Sequence, residues 1–412
     1  MTSAKSSFNN SQLFSRLSKN IEGEVLFDAF NRGRYSTDAS IYQIDPVGVV
    51  LPKTEQDLVR AVEISIDSGI PILARGGGTS QCGQTVNEAV VIDCSRHLNK
   101  VIDFNPEEKT ITVQPGLVLD HLNAFLKPYG LFFPVDISTA SRATIGGMTA
   151  NNSCGARSIH YGIMVDNVRA IDAFLPTGQH FKFAQTPGEL DELSANHGYK
   201  QIVTQVRDIA YRQRTELEKR FPKLKRRVGG YNIDTVDPTG HNMAKLLVGS
   251  EGTLATFKSI ELQLHEIPKH RVMGVCHFPS FYSAMDATQH IVKLKPVAVE
   301  LIDRTMIDLA RDIPIFRPVV ESFVKGEPGA LLLVEFAGEE FQYLPGKLKE
   351  LDRLMSDLGY RDAIIEAVEP AFQARITEVR QQGLNIMMSM KSAGKPVSFI
   401  EDCAVPLEDL AE

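Results

Sequence analysis

Three consecutive glycines constrain this chain more than any other feature. They sit in Arg75-Gly76-Gly77-Gly78-Thr79-Ser80, between the short apolar runs Ile70 to Ala74 and Val90 to Asp93. Backbone stripped of side chains after a strand exposes its N–H groups, which can curl around an anion. Thr79 and Ser80 add hydroxyl groups, and Arg75 adds a fixed positive charge. A pyrophosphate is the natural guest, so the segment suggests a phosphate-bearing cofactor.

The loop departs from two better-known phosphate loops. In G-x-G-x-x-G, Gly76 and Gly78 fit but Gln81 takes the third glycine position. Gly78 to Gly83 has the spacing of a P-loop, yet Gln84-Thr85 follows where Lys-Ser/Thr should stand, which argues against nucleotide hydrolysis. Taken alone, the loop could also be a tight turn with no ligand.

At 412 residues the chain has room for two or three domains with sizeable cores. A net charge of −7 and only the short basic run Lys225-Arg226-Arg227 argue against nucleic acid as partner. No apolar stretch approaches the ~18 residues of a membrane span. Lys5, Arg16 and Lys19 precede the first acidic residue, Glu22, among several serines; the segment reads as a frayed polar tail. Five cysteines without a C-x-x-C pair encode neither a disulfide framework nor a cluster site. A reducing, cytoplasmic setting fits them, with attachment to the inner membrane surface left open.

Along the chain, residues 47–52 predict a strand, and Thr54 caps a helix with Asp57 as a capping-box variant. Leu58, Val62 and Ile66 form its apolar stripe, Ser68-Gly69 ends it, and Pro71 to Ala74 is a second strand, giving a compact βαβ unit. Residues 98–114 and 165–183 predict hairpins, Leu117 to Lys127 a helix and residues 200–220 a long polar helix. Residues 240–264 return to strand character. From about residue 270 the order is strand (Arg271 to Phe278), helix (from Ser280), two strands (Val297 to Asp303, Ala330 to Ala337), helix (Phe341 to Leu358) and strand (Ala363 to Val368). That β-α-β-β-α-β order is that of a split βαβ (ferredoxin-like) sandwich.

A second glycine cluster runs from Thr144 to Gly155 and includes Gly146-Gly147, Asn151, Asn152 and Ser153; Ser158 and Tyr161-Gly162 follow. A third spans Gly249-Ser250-Glu251-Gly252-Thr253. Three glycine-rich polar loops suit an extended ligand with many polar groups better than three unrelated turns.

These ordered motifs resemble the FAD-linked oxidoreductases of the vanillyl-alcohol-oxidase-type flavin fold, in the branch of D-2-hydroxy-acid dehydrogenases acting on D-lactate, glycolate or D-2-hydroxyglutarate. The likeness runs from about Ser40 onward and is greatest to the N-terminal part of long bacterial members that also carry an iron–sulfur portion. It implies an α+β chain: an N-terminal extension (1–40), a two-subdomain FAD-binding domain (41–268) and an incomplete cap (269–412). It implies FAD, held through Arg75, Gly76, Gly77, Gly78, Thr79, Ser80 and Gly83 at the pyrophosphate. Ser138, Thr139, Thr144, Gly146, Gly147, Asn152, Gly155, Ser158, Tyr161 and Gly162 would line the ribityl chain and ring, with Glu251 and Gly252 beside them. Cys82, the one residue in the first loop able to attach flavin covalently, reads as unreactive.

The reaction so implied is dehydrogenation of a D-2-hydroxy acid by hydride transfer to flavin N5. Arg380, in Arg380-Gln381-Gln382-Gly383, matches the family's catalytic-site arginine, whose fork suits a carboxylate. The partners implied are a small-molecule 2-hydroxy acid and an electron acceptor such as a quinone, a cytochrome or an electron-transfer protein. The branch places a histidine-rich metal-binding stretch after the segment resembling Phe399 to Leu407; here all ten histidines lie at or before His290, so no metal site is expected. The expectation is an N-terminal portion of a longer or split enzyme that binds FAD but turns over poorly without a partner chain carrying the rest.

Overall fold

The computed structural model describes residues 2–193, 196–383, 386, 399 and 404–412. Ile400 to Cys403, within the segment singled out before the expected histidine stretch, lie outside them.

The first sheet joins β1 (Glu24–Leu26), β2 (Gly48–Leu51), β3 (Ile72–Arg75) and β4 (Val90–Asp93) in the order β1-β2-β4-β3. β2 and β3 both pair parallel with β4. The strands of the anticipated βαβ unit are therefore not neighbours, because β4 lies between them. β2 and β4 are buried along their whole length, as strands covered on both faces must be; β2 is apolar throughout, and β4 is apolar up to its last residue, Asp93.

The helix between β2 and β3, α2 (Glu55–Asp67), starts on the capping box read from the sequence. Its Asp57 does more than cap. The Asp57 carboxylate is buried and accepts the backbone N–H groups of Glu22, Gly23, Lys53 and Thr54 at 2.9–3.3 Å. One side chain thus ties the N-terminal segment to the start of α2.

The frayed-tail reading fails here. Residues 2–20 form a helix, α1 (Thr2–Asn20), whose Leu13 and Leu17 are buried, with Ile21 just beyond it, against Leu58 and Val62 of α2. These three residues recur every fourth position, a helical stripe masked by the serine-rich composition. Arg16 holds the other side of the contact through Ser68 and Asp67.

The second sheet is antiparallel and contains β5 (Val101–Asn105), β6 (Thr110–Val113), β7 (Val168–Phe174), β8 (His180–Phe183) and β9 (Thr256–Gln263). Its order is β5-β6-β9-β7-β8. Both expected hairpins form. On one side of it lie α3 (Leu119–Leu126) and α4 (Ile145–Asn151), with buried Leu119, Leu122, Ile145 and Met148 in the same core as Ile111 and Ile260, while α5 (Ser158–Tyr161) lies against Ala298–Asp303, a strand of the third sheet. The long polar helix divides at Gln213 into α6 (His197–Arg212) and α7 (Arg214–Arg220), since Gln213 leaves helical geometry at φ −99° and ψ 9°. The strand character expected over 240–264 is interrupted by a helical turn at Ala244–Leu247 before β9 begins.

The third sheet is antiparallel too. Its strands are β10 (His270–Phe278), β11 (Ala298–Asp303), β12 (Ala330–Gly338) and β13 (Ile364–Ala367), in the order β11-β12-β10-β13. α8 (Phe281–Ile291) and α11 (Leu344–Asp357) cover one face. α9 (Arg304–Asp312), α10 (Arg317–Phe323) and α12 (Pro370–Gln381) cover the other. β10 shows why both faces need helices: Val272, Cys276 and Phe278 enter one core while Met273 and Val275 enter the other.

Replacing Asp57 by Ala leaves four partly buried N–H groups without their acceptor. We expect it to lower unfolding free energy by about 3 kcal/mol, measured by urea denaturation. A loss under about 0.5 kcal/mol would show that water satisfies those groups instead.

Candidate active site

The three glycine-rich segments converge on α4. The first loop packs against the residues leading into it. A Cβ on Gly76 would stand 2.1 Å from Thr144 Oγ1, and one on Gly77 would stand 2.4 Å from the Arg142 carbonyl. Thr144 caps α4 by accepting the Gly147 N–H. The third loop packs on the helix's far end, where the Gly249 and Glu251 N–H groups bond the Thr149 and Ala150 carbonyls at 3.0 and 2.9 Å. Asn151 reaches Glu251 at 3.2 Å. Asn152, fully buried in a left-handed conformation, accepts the Val165 N–H and fixes the chain beyond the helix.

Between these segments lies a cavity of about 730 Å3. Arg75, Gly76, Gly77, Gly78, Thr79, Ser80, Ser138, Thr139, Thr144, Gly146, Gly147, Asn152, Gly155, Glu251, Gly252 and Arg380 all line it. Gly83, Ser158, Tyr161 and Gly162 do not. Gly83 backs onto the Tyr42 ring, and Gly162 onto Asp166. The Ser158 hydroxyl accepts the Gly155 N–H, and the Tyr161 ring packs edge-on against Phe132, His160 and His265. These four support the wall from behind.

Two side chains read as anion donors are engaged elsewhere. The Arg75 guanidinium donates to the carbonyls of Tyr35, Thr37 and Thr85, so it holds the strap at 35–37 over the loop. The Ser80 hydroxyl donates to Gln84. The loop's backbone N–H groups and Thr79 remain as donors for an anion beside what is left of the Arg75 fork. Sequence could not show this, because the strap that absorbs Arg75 lies some forty residues upstream.

Gly147 carries the test of fit for an extended cofactor. A Cβ there would meet nothing closer than Thr144 Oγ1 at 3.4 Å, an ordinary contact. Glycine in a helix costs roughly 0.5–1 kcal/mol relative to alanine, and internal packing does not require it at this position. Gly147 faces the cavity; Gly252 lines it too, but its φ of +73° already calls for glycine. Backbone bare toward an open cavity is what a closely applied ligand requires, and the volume lies within the ~300–1,000 Å3 of cofactor sites.

The third sheet closes the cavity with Val299, Glu300 and Leu301 of β11 and Arg380 of α12. Arg380 Nε donates to Glu300 at 2.6 Å, and Nη2 donates to the other oxygen of the same carboxylate. Burial pushes the Glu300 carboxyl above its usual range, with Arg380 opposing that shift. Asp136, on the same wall, is also raised by burial, although its Oδ1 accepts the Arg157 N–H. Arg226 lines the cavity and donates to Cys154 Sγ at 2.8 Å. The sequence reading missed Glu300, Asp136 and Arg226; each sits outside any glycine motif. Among the described residues, no histidine lines the cavity and no group of three His, Cys, Asp or Glu side chains is placed to hold a metal.

Loops that meet around one helix, under a roof from the third sheet, form a site for a long polar cofactor. Residues 46–184 match the FAD binding domain family, and residues 267–412 match the C-terminal domain of FAD linked oxidases. By these two matches the chain carries an FAD binding domain followed by a C-terminal domain of FAD linked oxidases. It is 31% identical over 417 residues to a D-2-hydroxyglutarate dehydrogenase of Haemophilus influenzae, and 32% identical over 406 residues to that of Escherichia coli K12. The alignments cover 96% and 95% of this chain, and the chain spans 40% of each relative. A solved alkyldihydroxyacetonephosphate synthase superposes with a TM-score of 0.62 over 88% of this chain and 62% of that one. At 18% identity, that likeness is one of fold alone.

Two predictions separate cofactor contacts from fold contacts. Gly147→Ala should leave the melting temperature unchanged or slightly raised while weakening FAD binding about tenfold or more, measured by flavin fluorescence titration. Undiminished FAD affinity would remove Gly147 from the binding wall. Gly155→Ala should instead cost about 3 kcal/mol of stability, because its Cβ would fall 1.5 Å from the Asp136 carbonyl oxygen.

The raised Asp136 carboxyl gives a pH signature. A pKa raised on folding contributes stability below its ordinary value, near pH 4, and that contribution is lost as pH rises through the folded value. Asp136→Asn keeps the acceptor for Arg157 and removes the titration. The variant should match the wild type in melting temperature near pH 4 and exceed it at neutral pH. Parallel curves would show that burial does not disfavour this charge.

Proposed function

We propose that this chain binds FAD in the cavity around α4 and oxidises D-2-hydroxy acids of the lactate and 2-hydroxyglutarate class. The observation that carries the reading is the arginine from the second unit on the wall of the glycine-lined cavity. By this reading the first loop takes the pyrophosphate on backbone N–H groups, while Ser138 to Gly147 and Asn152 to Gly155 face the ribityl chain and ring. When bound, FAD supplies a two-electron oxidant for the substrate's α-carbon.

The protein's part is placement. Glu300 takes Nε and one Nη2 hydrogen of Arg380, and a guanidinium has five N–H donors. The end-on edge, Nη1 with the second Nη2 hydrogen, has the geometry to take a carboxylate as a fork. Turnover also needs an electron acceptor, in the class of a quinone, a cytochrome or an electron-transfer protein.

The β10-to-β13 unit serves in this reading as the cap. Its element and strand orders support a split βαβ sandwich, with α9 and α10 inserted between β11 and β12. Because α1 and β1 join the core and sheet of the first unit, residues 1–40 are better counted with the flavin domain than as a separate extension.

The test is a visible spectrum of the FAD-loaded chain with D-lactate and D-2-hydroxyglutarate, and with their L-enantiomers as controls. Bleaching by a D-acid alone is expected, and Arg380→Gln should raise the KM about 100-fold. A flavin that stays oxidised with every 2-hydroxy acid would overturn the reading.

A further inference from the structure

Glu300 belongs to no glycine loop, yet it makes the most specific polar contact on the cavity's second-unit wall. It sits mid-strand on β11, opposite Leu333 of β12, with apolar Val299 and Leu301 on either side. Its side chain is 19% exposed and that of Arg380 is 32% exposed. The two carboxylate oxygens occupy the side-on edge of the guanidinium through Nε and Nη2. No hydrogen bond to Nη1 is found among the described residues.

We propose that Glu300 is a positioning residue for the substrate: it fixes the Arg380 fork so that the end-on edge stands ready for the substrate carboxylate. This rests on the reading that Arg380 is the carboxylate clamp. The physical reason is entropic. An arginine side chain carries about 2 kcal/mol of rotamer freedom. A clamp that must be ordered at binding gives up about 0.5–1.5 kcal/mol of affinity, which a clamp already fixed does not. Arg380 is in the last turn of α12, where one strand residue is enough to set its direction. A carboxylate does this better than an amide, because both of its oxygens accept.

The opposite role is also defined by chemistry. A Glu300 that competed with the substrate for the same donors would weaken binding, and removing it would tighten binding. The two roles differ in sign, so one titration separates them.

The experiment is calorimetric titration of the FAD-loaded chain with oxalate, a carboxylate ligand with no C–H bond to oxidise, paired with KM and kcat for D-2-hydroxyglutarate. Glu300→Ala should weaken oxalate about tenfold and raise KM by a similar factor, with kcat little changed. Glu300→Asp, which retains both oxygens, should recover part of the loss. If Glu300→Ala does not fold, Glu300→Gln is the test, since it keeps the volume and loses one acceptor; weakened oxalate is again expected. Unchanged or tighter oxalate binding in the folded variants, with Arg380→Gln still abolishing it, overturns the positioning role and leaves the clamp standing. Oxalate binding that survives Arg380→Gln, or is absent from the wild type, overturns the clamp and the positioning role together.

Discussion

The structure depends on backbone meeting backbone where side chains would not fit. The first glycine loop can touch Thr144 and Arg142 because Gly76 and Gly77 have no Cβ, and Gly155 can lie against Asp136 for the same reason. The first two approaches bring segments 68 and 65 residues apart into one wall around α4, and the third joins segments 19 residues apart. Each glycine gives up conformational freedom on folding, and the return is a cavity whose surface is peptide rather than side chain. Such a surface offers N–H and C=O groups in fixed positions, which suits a long polar cofactor.

The wall is stiffened from outside the cavity. Arg75 spends its charge on three carbonyls of flanking segments, and Asp57 spends its own on four N–H groups at the root of the first unit. Asn152 does the same work at the end of α4. In each case a polar side chain meets backbone groups that a loop would otherwise leave unpaired, and a buried unpaired group costs about 1–3 kcal/mol. The three loops are therefore ordered by contacts that leave their cavity-facing backbone open.

What the sequence revealed and what it hid follow one division. Local signals were legible: the Thr54–Asp57 capping box, both hairpins, the three glycine clusters and the strand at Arg271 to Phe278. Each depends on residues a few positions apart. Pairings across long separations were not legible. Nothing near β3 shows that β4 rather than β2 is its neighbour. Nothing near Arg75 shows that Tyr35 and Thr37 await its guanidinium, and nothing near Arg380 shows Glu300, 80 residues away. The α1 stripe of Leu13, Leu17 and Ile21 was readable by its spacing, but its polar composition outweighed it.

The two units divide the chemistry by their secondary structure. The first meets the cavity with loops and one short helix, so its contribution is mainly backbone and can follow an extended, uniform ligand. The second meets it with a strand and a helix end, so its contribution is side chains held in place: Glu300 from β11 and Arg380 from α12. A strand presents its residues at fixed spacing and a helix end presents one direction, and such rigid elements are suited to discriminating among small molecules. Arg157 of the first unit reaches Glu335 of β12 at 3.4 Å, and Arg271 of β10 approaches the same carboxylate. That shared contact, on half-buried groups, joins the backbone cradle to the side-chain roof, on which Arg380 also lies.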